Sequence, residues 1–235
     1  MYKLLLLSLL FVACQQATEQ KATAEQKAAP EQKAPMLKLF WDFTESLNKA
    51  KEQTTLLADG KLEITSGVET DYFIEPGAPP YEKANAPLLL QSVDNTKPFT
   101  FSVKTTPVHT VKYDAGMVFL YVDEKQWLKF AFEADERLKK RLVTVKTKAF
   151  SDDNNHDAID SPGVYLKVSS DTKVVGFYYS TDGQQWQLVR VFKNEYPPVL
   201  KVGIGSQSPA GQGNKAVFEN WQFSETAVKD FRMGL

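Results

Sequence analysis

Seven stretches of this chain read as β-strands, and most of them alternate apolar and polar side chains at every second residue, the pattern of half-buried strands. They are residues 61–66, 99–103, 127–133, 142–145, 174–179, 186–192 and 216–223. Asp59-Gly60 and the Thr-Asp-Gly at 181–183 supply turn signals between such stretches. Helical patterning is weak and confined to residues 44–53 and the last few residues. The sequence therefore predicts an all-β sandwich of many short strands in one domain.

Residues 1–13 have the features of an export signal. Lys3 precedes an apolar run that is too short to span a bilayer as a helix. The run ends at Cys14, the only cysteine of the chain. Phe11-Val12-Ala13-Cys14 resembles the lipobox of bacterial lipoproteins, which implies cleavage before Cys14 and lipid attachment to it. An Asp directly after Cys14 would resemble the inner-membrane retention signal of enterobacterial lipoproteins. Its absence favours the outer membrane, on its periplasmic or surface side.

The segment 14–35, which begins at Cys14, predicts a flexible tether. Glu-Gln-Lys-Ala recurs at 19, 25 and 31, and the only apolar residues are Ala and Pro. Such a segment cannot bury a hydrophobic face. Residues 36–235 remain and suffice for one substantial core.

The charge balance of the chain excludes some classes of partner. It has 28 basic and 29 acidic residues, a net charge of −1, which gives no reason to expect nucleic acid. A single cysteine cannot form an intrachain disulfide framework. Only the lipid on Cys14 is expected to hold the protein to a membrane.

Several short phrases of the sequence carry a family resemblance. They are Thr70–Phe73, Ala86–Leu89, Tyr113–Met117, Trp127–Phe130, Val145–Thr147, Ser151–Asp152, Tyr178–Trp186 and Val202–Pro209. In this order, across residues 37–225, they resemble the "regulation of enolase 1" family (domain of unknown function 1349), an uncharacterised group of concanavalin A-like domains. The resemblance implies a jelly-roll sandwich of two curved antiparallel sheets, with a concave face that could hold a ligand.

The strand that begins at Trp127 has an unusual polar face. Alternation places Trp127, Lys129, Ala131, Glu133 and Asp135 on one face and Leu128, Phe130 and Phe132 on the other. The second set predicts core. The first set predicts a sugar-binding floor, on which the indole stacks against a pyranose while the ammonium and carboxylate bind hydroxyls. The alternative is a solvated face with an incidental ion pair, and the family resemblance favours a site.

Four further positions enter the candidate site through the resemblance. In the family pattern Asp71, Tyr72, Thr147 and Asp152 are polar, and in a jelly roll they could converge on the face of Trp127. For Asp71 and Asp152 the alternative is turn or cap chemistry, which is common for Asp.

Two other functions remain open. Concanavalin A-like glucanases of the laminarinase type carry Glu-x-Asp-x-Glu on one strand, and here residues 133–137 read Glu-Ala-Asp-Glu-Arg. The third acid falls one residue early, on the opposite face, so hydrolysis by paired carboxylates is disfavoured. A structural or protein-interaction module of the cell envelope is the other alternative. It predicts a concave face that is filled by side chains or covered by a loop, for which the proline-rich segment 75–87 is long enough.

Metal and cofactor signals are weak. Asp153, Asn155 and Asp157 imitate the start of a calcium loop, but Ala158 stands where the loop needs Gly and Val164 where it needs Glu. An ordinary solvated loop is therefore favoured over calcium, and no other cofactor is predicted.

Catalytic motifs based on histidine or glycine find no support. His109 and His156 are the only histidines, which is too few for a zinc site with no cysteine available. Gly203 and Gly205 lie in a strand with no helix after it, so they indicate close strand packing.

The sequence predicts a monomeric lipoprotein of the bacterial cell envelope whose jelly roll binds a carbohydrate without catalysis. The predicted ligand-binding residues are Asp71, Tyr72, Trp127, Lys129, Glu133, Thr147 and Asp152.

Overall fold

Every regular element in the part of the chain that the structure describes is a β-strand. The computed structural model describes residues 43–235, which belong to one compact unit and form sixteen strands. The export signal, Cys14 and the tether lie outside this range, so lipid anchoring stays a prediction. Within residues 43–235 we find no helix of the length and hydrophobicity needed to cross a membrane.

Two seven-stranded antiparallel sheets and one hairpin contain all sixteen strands, numbered in chain order. In spatial order the first sheet consists of β1 (Glu45–Leu47), β6 (Leu88–Asp94), β15 (Val199–Gln207), β8 (Ala115–Asp123), β9 (Gln126–Ala134), β10 (Lys140–Lys148) and β11 (Phe150–Ala158). The second sheet consists of β14 (Gln187–Lys193), β13 (Val174–Ser180), β12 (Val164–Ser170), β7 (Phe99–Pro107), β16 (Lys215–Ser224), β3 (Leu62–Thr65) and β2 (Thr54–Leu56). The hairpin consists of β4 (Tyr72–Ile74) and β5 (Glu82–Ala84).

The seven stretches predicted as strands all form strands, and the two predicted hairpin turns are confirmed. Gly60 joins β2 to β3 with φ +84°, and Gly183 joins β13 to β14 with φ +75°. Both values lie in the left-handed region that glycine adopts without a steric penalty.

The two weak helix predictions are wrong. Residues 44–53 form β1 and then turns, because Asn48 and Lys49 take positive φ values of 52° and 60° that a helix cannot contain. The Asn48 side chain donates instead to the carbonyl oxygens of Ala84 and Ala86, at 3.0 and 2.8 Å. The C-terminal residues form turns as well.

The main hydrophobic core lies between the two sheets. Alternation along β9 directs Leu128, Phe130 and Phe132 into it, as predicted, and all three are fully buried. Phe130 stacks on Phe177 of β13 with ring centroids 5.0 Å apart, so aromatic contacts link the sheets. Burial of these rings supplies the dominant favourable free energy of folding.

A second, smaller core covers part of the opposite face of the first sheet. We call this face, which carries Trp127, Lys129 and Glu133, the outer face. The hairpin folds back across it, and the Tyr72 ring packs edge-on against Phe119, with ring centroids 5.1 Å apart. The hairpin thus divides the outer face into a covered end near Trp127 and an open end near Glu133.

Glycines permit the close approach of β15 to its neighbour. A Cβ on Gly203 would collide with the carbonyl oxygen of Leu89, and one on Gly205 would lie 2.6 Å from the carbonyl oxygen of Pro87. The prediction of close strand packing at this pair is confirmed.

Candidate functional site

The open end of the outer face forms a pocket of about 520 Å³. We call it the polar pocket. The hairpin side contributes Asp71 and Tyr81, the sheet contributes Lys129, Glu133 and Gln207, and the loop before β8 contributes Tyr113. Its size is within the range of small-molecule sites.

Lys129 forms the centre of the pocket floor. Its side chain is almost fully buried, and Nζ donates three hydrogen bonds: to Oδ1 of Asp71 at 3.3 Å, to the carbonyl oxygen of Tyr72 at 2.9 Å and to Oε1 of Gln207 at 3.0 Å. An ammonium has three N–H donors, so all are used within the protein. Lys129 therefore organises its neighbours and has no donor left for a ligand.

Asp71 ties the hairpin side of the pocket to this floor. Besides Lys129, its carboxylate accepts the backbone N–H of Tyr72 at 2.8 Å and the hydroxyl of Tyr81 at 3.2 Å. Burial, followed by the adjacent Asp71 charge, raises the pKa of Tyr81. The Tyr81 hydroxyl therefore stays protonated and continues to donate to Asp71.

Gln207 links Lys129 to Glu133. Because its Oε1 accepts from Lys129, its Nε2 donates to Oε2 of Glu133 at 3.2 Å and to the carbonyl oxygen of Tyr113 at 3.1 Å. Ala115 pairs with Gln207 on one side and with Glu133 on the other. A residue this small between them leaves room for the two long side chains to meet.

Glu133 is the titratable group at the open end. Only 7% of the residue is exposed, and burial raises its pKa to about 8. The Lys129 charge opposes this rise, and the charges of Asp71, Asp153 and Asp135 reinforce it. The carboxyl group therefore holds a proton at neutral pH. Its Oε1 makes no hydrogen bond to any residue within 43–235.

The family of this domain can now be stated. Residues 47–226 match the family model described as "Protein of unknown function (DUF1349)". The chain belongs to this family. No curated protein matches it.

Solved structures show the same fold as this DUF1349 chain. A functionally unknown protein from Saccharomyces cerevisiae is 22% identical with a TM-score of 0.69, and the match covers 77% of this chain and 95% of that one. The GH43 protein BlXynB from Bacillus licheniformis is 16% identical with a TM-score of 0.59, over 74% of this chain but 35% of that one. A bifunctional GH43-CE protein of Bacteroides eggerthii is 18% identical with a TM-score of 0.56, over 75% and 22%. The predicted concanavalin A-like jelly-roll sandwich is confirmed.

Three of the predicted site residues meet in the pocket of this DUF1349 domain. Asp71, Lys129 and Glu133 line it. Tyr72 contributes only its carbonyl oxygen to the Lys129 network, because its ring is buried in the smaller core.

Trp127 cannot have the role predicted for it. The side chain is 0% exposed, with the Tyr72 ring edge-on at 5.8 Å and the Phe119 ring at 5.8 Å. No face of the indole is free to stack on a sugar. Alternation placed Trp127 on the correct face of the sheet, but the hairpin covers that end of it.

Thr147 and Asp152 also lie outside the pocket. Thr147 is buried, and its Oγ1 lies 2.9 Å from Oγ of Ser151, which in turn accepts the backbone N–H of Ile74 at 2.9 Å. These two hydroxyls therefore anchor the hairpin. Asp152 points to the other face of β11, where its carboxylate lies 3.6 Å from Arg190 of the second sheet. Its neighbour Asp153 lines the pocket instead.

Several pocket residues were missed by sequence reasoning. Gln207 and Tyr113 belong to phrases that carried the family resemblance, and this was the available signal for them. Asp153 was considered only as part of a calcium loop. Tyr81 lies in the proline-rich connection of the hairpin, and no periodicity indicates where such a loop folds.

The acidic segment after Ser151 is an edge strand, so the prediction of a solvated loop there is wrong. Asp153, Asn155 and Asp157 lie in the extended backbone of β11. A calcium-binding loop needs a tight turn instead. Within residues 43–235 no three His, Cys, Asp or Glu side chains are grouped to hold a metal ion.

Asp135 and the two histidines have structural partners outside the pocket. Asp135 accepts the backbone N–H groups of Arg137 and Lys139, both at 2.8 Å, and so closes the turn after β9. Nε2 of His109 lies 3.2 Å from the carbonyl oxygen of Phe132, and burial lowers the pKa of His109 to about 4. Nε2 of His156 lies 2.9 Å from Oγ1 of Thr144.

Proposed function

We propose that the polar pocket binds a carbohydrate without catalysing a reaction. The observation that carries this proposal is the connected network of Asp71, Lys129, Gln207 and Glu133, in which each side chain is held by its neighbours. Hydrogen-bonding groups fixed before the ligand arrives lose little conformational entropy on binding. Sugars, which present many hydroxyl groups, suit such a floor.

Aromatic side chains at the pocket rim support the proposal. Phe73 and Tyr81 line the pocket with ring centroids 6.5 Å apart, and Tyr113 lines the opposite side. Tyr81 is 36% exposed. A sugar ring has apolar C–H faces as well as hydroxyls, so a rim of aromatic rings above a polar floor matches both. Phe73, Tyr81 and Tyr113 take the stacking role predicted for Trp127.

The structural neighbours are in keeping with a carbohydrate ligand. Several carry GH43 in their names, one of them as a GH43 glycoside hydrolase, and the region that corresponds to this chain is about a third or less of their length. At 16–18% identity this similarity concerns the fold, so the proposal rests on the pocket itself.

We further propose that the protein is a lipoprotein of the bacterial cell envelope, on the outer membrane. The apolar run that ends at Cys14 and the Glu-Gln-Lys-Ala repeats after it support this location. Labelling with a radioactive fatty acid tests it: the full-length chain should take up the label, and Cys14→Ser should abolish uptake.

A glycan array probed with the full-length protein tests carbohydrate binding. The parent should bind a defined set of glycans, and Tyr81→Ala should lose most of that binding. Phe223→Ala is the matched control, since Phe223 is an aromatic residue of similar exposure (42%) on the second sheet. Equal binding by all three proteins would show that the glycan does not bind in the polar pocket. No binding by the parent would refute it.

A glycoside hydrolase is the second candidate, and one observation favours it. Glu133 lines an accessible pocket, and burial raises its pKa to about 8, so that it can hold a proton at neutral pH as a general acid must. The candidate needs a second carboxylate across the scissile bond, and Asp71, the other carboxylate of the network, is bound to Lys129 and Tyr81. Hydrolysis of a broad glycan panel by the parent, abolished in Glu133→Gln, would establish it, and no hydrolysis would dismiss it.

A further inference from the structure

The polar pocket contains more negative than positive side chains. Its acidic lining residues are Asp71, Glu75, Glu133, Glu136 and Asp153, of which Glu133 is protonated at neutral pH, and its basic lining residues are Lys112 and Lys129. The chain as a whole is nearly neutral, at −1. The excess of carboxylates is therefore a local property of this site.

Pairing within the protein neutralises part of this charge. Lys129 pairs with Asp71 at 3.3 Å, and Glu136 pairs with Arg137 at 2.7 Å. Glu75 and Asp153 form no ion pair with any residue in the described range. Neither does Glu133.

Lys112 is the one remaining cation of the lining. Its Nζ lies 5.4 Å from the centroid of the Tyr113 ring, at the rim. The three donors of the buried Lys129 are all used internally. The floor of the pocket therefore has no free cationic group to receive an acidic sugar.

Glu133 offers an acceptor atom to a ligand. Oε2 is held by Gln207 at 3.2 Å, while Oε1 makes no hydrogen bond within residues 43–235, although 93% of the residue is shielded from solvent. Oε1 is reachable from the pocket, and once Glu133 has lost its proton this oxygen can accept a hydrogen bond from a ligand without displacing a donor of the protein. This is independent of the charge count and points to the same kind of ligand.

We propose that the polar pocket selects a carbohydrate bearing a protonated amine, such as an amino sugar without its acetyl group, and that the ammonium donates to Oε1 of Glu133. The proposal rests on the proposed carbohydrate-binding function and specifies its ligand class. Asp153 contributes a second negative charge beside the ammonium, and Tyr81 and Tyr113 offer ring faces that attract cations.

Binding of an ammonium changes the protonation of Glu133. The free carboxyl group carries a proton at neutral pH, and a charge-assisted hydrogen bond needs the carboxylate. The proton on Glu133 is therefore released to solvent as the ammonium takes its place, so that one cation replaces another and the net charge of the site is unchanged.

Three trisaccharides with the same β-1,4-linked glucose backbone test this selectivity. They differ only at C2 of each ring, which carries an amine, an acetamide or a hydroxyl group. Each is titrated into the full-length protein by calorimetry at about pH 6, where the amine is protonated. The amine form should bind more tightly than both neutral forms, and repeating the titration at about pH 5 should lower this advantage about tenfold, because the proton that Glu133 releases costs more free energy to remove at lower pH.

Matched variants assign the selectivity to this pocket. Asp153→Asn should reduce the preference for the amine several-fold while leaving the neutral forms unaffected. Glu133→Gln should remove most of the preference, and because Glu133 belongs to the network of the pocket floor, its effect is measured as the ratio of the affinity for the amine form to the affinities for the neutral forms. Asp152→Asn makes the same change one residue away on the opposite face of β11, so it should leave the preference intact. The heat of binding to the parent should differ between buffers of different ionisation enthalpy, as release of a proton requires. The heat of binding to Glu133→Gln should not depend on the buffer in this way.

The outcomes separate the two proposals. Equal affinity for the three trisaccharides, or a preference for the amine that Asp152→Asn lowers as much as Asp153→Asn does, overturns the amine selectivity and leaves carbohydrate binding standing. If none of the three binds while the glycan array shows binding to neutral or acidic sugars, the selectivity alone is overturned. If no glycan binds at all, both proposals fail.

Discussion

Nζ of Lys129 lies 3.3 Å from Oδ1 of Asp71, and the two side chains are 3% and 9% exposed. This ion pair joins the central strand β9 to the start of the hairpin. Both charges have been withdrawn from water, which costs free energy that only good hydrogen-bond geometry recovers. The pair therefore fixes the hairpin against the sheet and sets the shape of the polar pocket.

Removal of one member of this pair should be costly. Lys129→Met leaves Asp71 as an uncompensated buried charge, and we expect a loss of about 3–5 kcal/mol in the free energy of unfolding. The double variant Lys129→Met/Asp71→Asn should recover part of it, since no buried charge remains. Urea unfolding of the three proteins measures this. Lys97→Met, which breaks an exposed pair with Asp94, is the control and should cost far less, because both partners remain in water. An equal cost for both lysines would contradict the role given to burial.

Trp127→Ala should lower the stability of the fold and should have no direct effect on ligand binding. The indole is fully enclosed, so truncation leaves a cavity, and a loss of about 3–5 kcal/mol is expected. Trp127→Phe keeps most of the volume and should cost clearly less. Thermal and urea unfolding give both values. A Trp127→Ala protein of unchanged stability that had lost glycan binding would restore the stacking role to this residue.

Glu133 should make the stability of the parent fall as the pH rises. Between its ordinary value of 4.5 and the folded value of about 8, the folded state keeps the proton that the unfolded state has lost. The folded state then binds more protons, so the free energy of unfolding decreases with pH across this window and levels off above about pH 8. Glu133→Gln removes this contribution. The fall in the free energy of unfolding from pH 5 to pH 9 should therefore be smaller in this variant than in the parent by at least about 1 kcal/mol. Parallel curves for the two proteins would show that the pKa of Glu133 is not raised.

The hydroxyl of Ser151 should hold the hairpin closed over Trp127. It accepts the backbone N–H of Ile74 at 2.9 Å, so Ser151→Ala leaves a buried donor without a partner. Amide hydrogen exchange in β4 and β5 should then speed up about fivefold or more, as a loss of about 1 kcal/mol implies. Ser92→Ala removes a hydroxyl that bonds to Glu45 at the surface and should leave the hairpin unchanged. Exchange that rises equally throughout the domain would argue against a local anchor.

Gly203→Ala should be among the most damaging single changes in the first sheet. The new methyl group would meet the carbonyl oxygen of Leu89 in the next strand, which has no freedom to move aside. We expect a loss of at least about 3 kcal/mol or failure to fold. In Gly67→Ala the new methyl group would make only an ordinary contact, 3.7 Å from Cγ2 of Thr70, so this is the control. Soluble yield and melting temperature compare the two.

The sequence by itself determined the strands and their faces. The alternation of Trp127, Lys129 and Glu133 with Leu128 and Phe130 was sufficient, because side chains of a β-strand point to opposite faces in turn. The same rule placed the apolar set in the main core. It also showed that an ammonium and a carboxylate share the outer face, which is the basis of the candidate site.

Tertiary structure alone decided which of these side chains a ligand can reach. Trp127 and Lys129 share one face, yet the hairpin buries the first under Tyr72 and leaves the second at the floor of a pocket. Gln207 joins Lys129 and Glu133 although more than seventy residues separate it from either. Pairing between distant strands sets such contacts, and the periodicity of one strand carries no information about what packs over it.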